Sequence, residues 1–110
     1  MALNFDNTNC YKVFLGLNDQ KSKKQEIKTE DALVMTSLYL ASHFEGATCY
    51  NAIGVYRHED GTIVRENSIV IELVYVTDFM VESLVKHLQQ VFNQESVMIM
   101  RTECGVQFYG

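Results

Sequence analysis

Between Tyr11 and Leu17 the apolar residues Tyr11, Val13, Leu15 and Leu17 fall on alternate positions. A period of two marks a strand with one buried face, so this stretch predicts the first strand. The segment from Asn18 to Lys28 is polar and carries Lys21, Lys23, Lys24 and Lys28, and it reads as a solvated loop. Thr29 is placed to cap a helix, with Glu30 and Asp31 in a first turn whose dipole favours acids. That helix is expected to run to about Phe44. Its predicted buried stripe is Val34, Leu38 and Ala41, widened by Leu33 and Leu40, and Gly46 is its expected stop.

A second strand is predicted over 48–57 and a third over 62–76, joined by the turn His58-Glu59-Asp60-Gly61. In the third strand Ile69, Ile71, Leu73 and Tyr75 share one face, while Val70, Val74 and Val76 share the other. Thr77 or Asp78 caps a second helix, whose stripe is Val81, Leu84, Val85, Leu88, Val91 and Phe92. The last strand covers about 96–109, with a bend near Gly105. Residues 1–8 are polar and expected to fray, which leaves one domain over 9–109. The order is β-α-β-β-α-β. Right-handed crossovers put both helices on one sheet face, which predicts a ferredoxin-like α+β two-layer sandwich. Its four-stranded antiparallel sheet has the strands ordered fourth, first, third, second. The other sheet face is left apolar and needs a cover. A second copy packed sheet to sheet is the expected cover, so the chain is expected to form a homodimer.

A length of 110 residues suits one such domain. The net charge of −5, with only nine Lys and Arg, disfavours a nucleic-acid partner. No apolar run reaches the length of about 18–20 residues that a membrane span needs. The N-terminus lacks the basic and apolar regions of a signal peptide. Cys10, Cys49 and Cys104 are odd in number and far apart, so they are read as free thiols, with neither a disulfide framework nor a zinc site. A reducing, cytoplasmic setting follows from that reading. His43, His58 and His87 show no metal-ligand spacing. No cofactor-binding motif is present, and none is expected to be bound.

Three constellations carry candidate chemistry. Arg65 and Glu66 open the third strand with Arg57 across the hairpin. They suit an anion site built on planar guanidinium groups or a cross-strand charge pair that fixes register. Glu72 interrupts an apolar face, where a lone carboxylate needs a partner. Lys12, with the parity of Phe14, is the candidate, either as a structural ion pair at a dimer interface or beside a titratable group in a cavity between sheets. Tyr50 and Tyr56 flank the small Ala52 and Gly54 and are either the floor of a shallow pocket or interface aromatics.

The chain also resembles a known bacterial family of small proteins, the domain of unknown function 3574. The resemblance rests on Phe14-Leu15-Gly16-Leu17, on Phe44-Glu45-Gly46-Ala47-Thr48 and on the hairpin from Gly54 to Ser68. The closing segment from Phe92 to Phe108 is similar too, so about residues 11–108 are covered. Tyr56 stands where the family pattern favours Trp, and Ser42 and Glu45 stand where it favours prolines. The resemblance implies the fold and the boundaries but no activity. The leading expectation is therefore a ligand-binding or interaction module. It would hold a small anionic, nucleotide-like molecule with Arg57, Arg65, Glu66, Tyr50, Tyr56, Lys12 and Glu72. A cofactor-free enzyme of the dimeric α+β barrel type and a structural protein-binding subunit are the alternatives.

Overall fold

The first strand pairs along both of its edges, and the rest of the molecule is arranged around it. In the computed structural model, which describes residues 2–110, β1 (Asp6–Gly16) is antiparallel to both β3 (Ile63–Val74) and β4 (Met98–Val106). β2 (Thr48–Arg57) pairs with β3 on its far side, giving the order β2-β3-β1-β4. The helices α1 (Thr29–His43) and α2 (Asp78–Val91) complete the ferredoxin-like α+β fold. β1 starts at Asp6, ahead of the expected Tyr11, because Asp6–Cys10 find backbone partners in Thr102–Val106.

The core lies between the sheet and the helices. Val13, Leu15, Ile69 and Ile71 are fully buried on the sheet side, facing Leu84 and Leu88 of α2. Burial of a side chain of this size contributes about 1.5–3 kcal/mol, which is why residues 11, 13 and 15 of β1 and 69, 71 and 73 of β3 are all apolar. α2 is capped by Thr77, whose hydroxyl accepts from the Met80 amide.

α1 departs from its predicted phase. Its buried residues are Ala32, Thr36 and Leu40, whereas Val34 and Leu38 are exposed. A four-residue spacing fits either phase, and the polar Thr36 hid the true one. Thr29 is not the cap. It lies inside the helix, Lys28 holds the cap position without a side-chain bond, and Gln25 donates to the Thr29 hydroxyl. The helix ends at His43 with Phe44 extended, ahead of Gly46. Tyr75 also leaves its expected face. β3 ends at Val74, Tyr75 takes a left-handed φ of 56°, and its hydroxyl donates to Asp6.

The cysteine reading is corrected as well. Cys10 and Cys104 form a disulfide, although 94 residues separate them. The pairs Cys10↔Thr102 and Thr8↔Cys104 set the two cysteines diagonally on one face of adjacent strands, with Cα atoms 6.1 Å apart, which is within bridging range. Spacing in sequence carries no trace of this antiparallel pairing. Cys49 is the free thiol, half-buried, and burial pushes it above its ordinary value. The argument for a reducing compartment thereby loses its premise. Among the described residues no helix is long and apolar enough to cross a membrane.

Candidate functional site

The sheet face turned away from the helices carries the unusual chemistry. Register places Lys12, Glu72 and Thr48 in one row across β1, β3 and β2, with Phe14, Val70 and Tyr50 in the next. Further along come Gly16, Ser68 and Ala52, then Glu66 beside Gly54, then Tyr56 beside Val64. Five of the seven candidate residues therefore share this open face: Lys12, Tyr50, Tyr56, Glu66 and Glu72.

Arg57 and Arg65 do not join them. Arg65 pairs with Val55, and Arg57 pairs with Ile63, so both occupy the opposite face of the hairpin. The expected cluster of arginines and tyrosines thus splits in two, because adjacent residues of a strand point to opposite sides. Arg65 and Glu66 are neighbours in sequence for the same reason that they cannot be neighbours in one site.

Glu66 is the centre of what remains. Its carboxylate lies directly over the backbone of Gly16. A Cβ placed there would meet Oε1 at 2.7 Å and Oε2 at 2.9 Å. A Cβ at Gly54 would stand 3.1 Å from the Ser68 hydroxyl and 3.7 Å from the Glu66 side chain. The two glycines make a floor low enough for a half-buried carboxylate to lie flat on the sheet. Oε2 accepts from the Asn18 amide at 3.1 Å, and among the described residues no other donor reaches the group. A carboxylate offers about four acceptor positions, so most of its capacity is unfilled by the described residues. Tyr56 stands nearby. Burial, and after it the Glu66 charge, pushes its phenol above the ordinary value.

Glu72 is satisfied differently from the expectation. Lys12 lies opposite it in register, yet among the described residues the two form no ion pair. The Tyr50 hydroxyl donates instead to Glu72 Oε2 at 2.6 Å, along the diagonal of the β2–β3 ladder. This bond, more than burial, raises the Tyr50 pKa. Lys12 and Glu72 also line a cleft of about 990 Å³ where β3 ends, together with Val74, Tyr75, His43 and Phe108.

The sequence singled out Glu66, Tyr56 and Gly54, which share this face, but not Gly16, Ser68 or Asn18, which lie against or beside Glu66. An isolated glycine inside a strand is a sign of close backbone approach, and Gly16 was such a sign.

A family model for proteins of unknown function, DUF3574, matches residues 11–108 of the 110. The chain belongs to that family. The DUF3574 assignment spans every element from the core of β1 to the end of β4. No curated protein matches the chain. Among solved structures it is similar to a phage SAM lyase in complex with S-methyl-5'-thioadenosine, with a TM-score of 0.64 and 23% identity over 94% of this chain and 93% of that one. The apo form of a phage SAM lyase gives 0.65 and 22% identity over 100% and 99%. CutA from Synechococcus elongatus gives 0.56 and 11% over 90% and 78%. At these identities the likeness is one of fold.

Proposed function

We propose that this DUF3574 protein is a homo-oligomeric binding module, a dimer at least, whose open sheet face takes a small nucleoside-like ligand anchored by Glu66. The observation that carries the reading is the Glu66 carboxylate laid on Gly16 and Gly54 with one hydrogen-bond donor among the described residues. A few polar groups fixed in position on a partly apolar surface are what orients a ligand at a small-molecule site. The charge of the face decides the kind of ligand. Its titratable side chains include two carboxylates, Glu66 and Glu72, against one Lys12, while the arginines point the other way. Carboxylates beside tyrosine rings attract donors and cations. A nucleoside with free hydroxyls or a positively charged sulfonium suits this face better than the anion first expected. The phage SAM lyase that shares the fold is named with just such a nucleoside bound. Phe14 and Val74, half-buried, and Met98 and Met100, both exposed, lie on the same face and supply the apolar surface that a second copy would cover.

The test is calorimetric titration of the protein with S-adenosylmethionine, S-methyl-5'-thioadenosine and inorganic phosphate, repeated on Gly16→Ala. A Cβ 2.7 Å from the Glu66 carboxylate must push it aside. Replacing a strand glycine by alanine returns about 0.5–1 kcal/mol of stability, so the fold should hold while nucleoside binding falls. Binding of phosphate alone, or equal nucleoside binding by both proteins, would remove Glu66 from the site. A lyase-type enzyme is the second reading, favoured by Tyr56 beside Glu66. Chromatography of S-adenosylmethionine incubated with the protein separates it from simple binding. Absence of any small-molecule binding would favour a protein-binding subunit.

A further inference from the structure

β1 stops opposite Ser68, but β2 and β3 continue past it as a pair, through Gly54↔Glu66 to Arg57↔Ile63. The hairpin 53–67 therefore projects as an arm, and the molecule measures 54 × 31 × 24 Å. Its turn is well formed. The His58 amide donates to the Thr62 carbonyl, Asp60 accepts from the Thr62 amide, and Gly61 takes a φ of 90°. A two-stranded ribbon is marginal by itself in water. The helix-side face of this one carries Ile53, Val55 and Ile63, which are 52%, 62% and 60% exposed. Arg57 and Arg65 share that face, and among the described residues neither has an ion-pair partner.

The chain carries a second exposed apolar surface, flanked by charge of the opposite sign. The outer side of α1 exposes Val34, Met35 and Leu38, the last at 64%. Glu30 and Asp31 lie one turn before Val34 and Met35, on the same side by their spacing of four. Both surfaces are apolar at the centre and charged at the edge, basic on the arm and acidic on the helix. We infer that the arm of one copy docks through Ile53, Val55 and Ile63 onto the outer side of α1 in a second copy, with Arg57 and Arg65 against Glu30 and Asp31. In a closed assembly, the simplest being a reciprocal two-fold dimer, every copy gives one arm and receives one. The contact uses a surface separate from the open face and holds the arm that carries Tyr56 and Gly54 in place.

Light scattering across a concentration series tests this on the whole chain. Arg57→Glu with Arg65→Glu, and separately Glu30→Arg with Asp31→Arg, should each raise the dissociation constant by roughly tenfold or more, as the loss of close interfacial charge pairs does. The chain carrying all four reversals should assemble again. Double variants that assemble like the wild type overturn the proposal, and so does a fourfold variant that is folded by circular dichroism yet stays dissociated. Where a double variant fails to fold, Leu38→Gln on the exposed helix side replaces it, with the same expected dissociation. Val74→Lys on the open face distinguishes the two readings. If it alone dissociates the protein, the arm contact fails and the open-face interface stands. A wild type that is monomeric throughout overturns both.

Discussion

Thr36→Val should make the protein more stable. Thr36 sits in α1 between Ala32 and Leu40, facing the sheet, with 1% of its surface exposed. Its hydroxyl is buried and has no hydrogen-bond partner among the described residues. Leaving a neutral donor and acceptor unpaired in the interior costs about 1–3 kcal/mol. Valine fills nearly the same space without the polar atom, and both residues are β-branched, so the change in helix propensity is small. The expected gain is about 1–2 kcal/mol. Unfolding entropy near 2.1 cal/mol/K per residue makes each kcal/mol worth about 4 °C in a chain of this length. Tm should therefore rise by about 4–8 °C, and the urea midpoint should rise with an unchanged slope. Thr36→Ser keeps the hydroxyl and removes the methyl, so it should destabilise. A fall or no change in Tm for Thr36→Val would show that the hydroxyl is paired in solution, either by turning onto the carbonyl of Ala32 or by a trapped water.

Two other predictions follow from bonds that tie the sheet together. Reduction of Cys10–Cys104 should lower stability by about 2–4 kcal/mol, as for bridges closing long loops, and identical melting with and without reductant would show that the bridge is not formed in solution. Asp78 accepts from the Tyr11 hydroxyl and from Arg101 at 2.8 Å, and these two bonds hold its carboxyl below the ordinary value. A depressed folded pKa adds stability above the unfolded value of about 3.9 and loses it as pH falls through the folded value. The stability gap between wild type and Asp78→Asn should therefore be widest near neutral pH and shrink in acid, and a gap independent of pH would contradict the assignment.

How much the sequence revealed depended on whether a signal was periodic or relational. β1 and β3 were legible over residues 11–15 and 69–73, where the helix-side face is buried and forces alternation onto Val13, Leu15, Ile69 and Ile71. α2 was legible for the same reason, save Val91 at its last turn, which is exposed. α1 was not, because it buries Ala32 and Thr36, two residues that hydrophobicity alone does not select, while it exposes Val34 and Leu38. The disulfide and the Tyr50–Glu72 bond depend on strand register, which sequence specifies only after the sheet order is known. Arg57 and Arg65 were placed with Tyr56 and Glu66 through nearness along the chain. Strand parity already contained the objection, since residues 65 and 66 cannot face the same way.

The same logic explains how the Glu66 carboxylate is held. Its only bond within the described residues is to the Asn18 amide, so its position is as fixed as that residue's backbone. Asn18 lies in the loop after β1, where a mobile donor would be expected. Two contacts from the far end of the chain oppose that mobility. Gln94, itself buried, donates from Nε2 to the Asn18 carbonyl at 2.7 Å. Asn93, with a left-handed φ of 47°, donates to Asp19 Oδ2 at 2.9 Å and accepts from Gln20. Asp19 also accepts from the Lys21 and Ser22 amides, and the Asn93 bond is the largest cause of its lowered pKa. The turn that ends α2 thus clamps the loop that orients Glu66. A carboxylate so placed keeps its outward lone pairs free without losing its orientation, which is what a preorganised acceptor requires. Register supplies the glycine floor and the α2 turn supplies the clamp on Asn18, so the position of Glu66 depends on strand pairing and on a contact from the far end of the chain together.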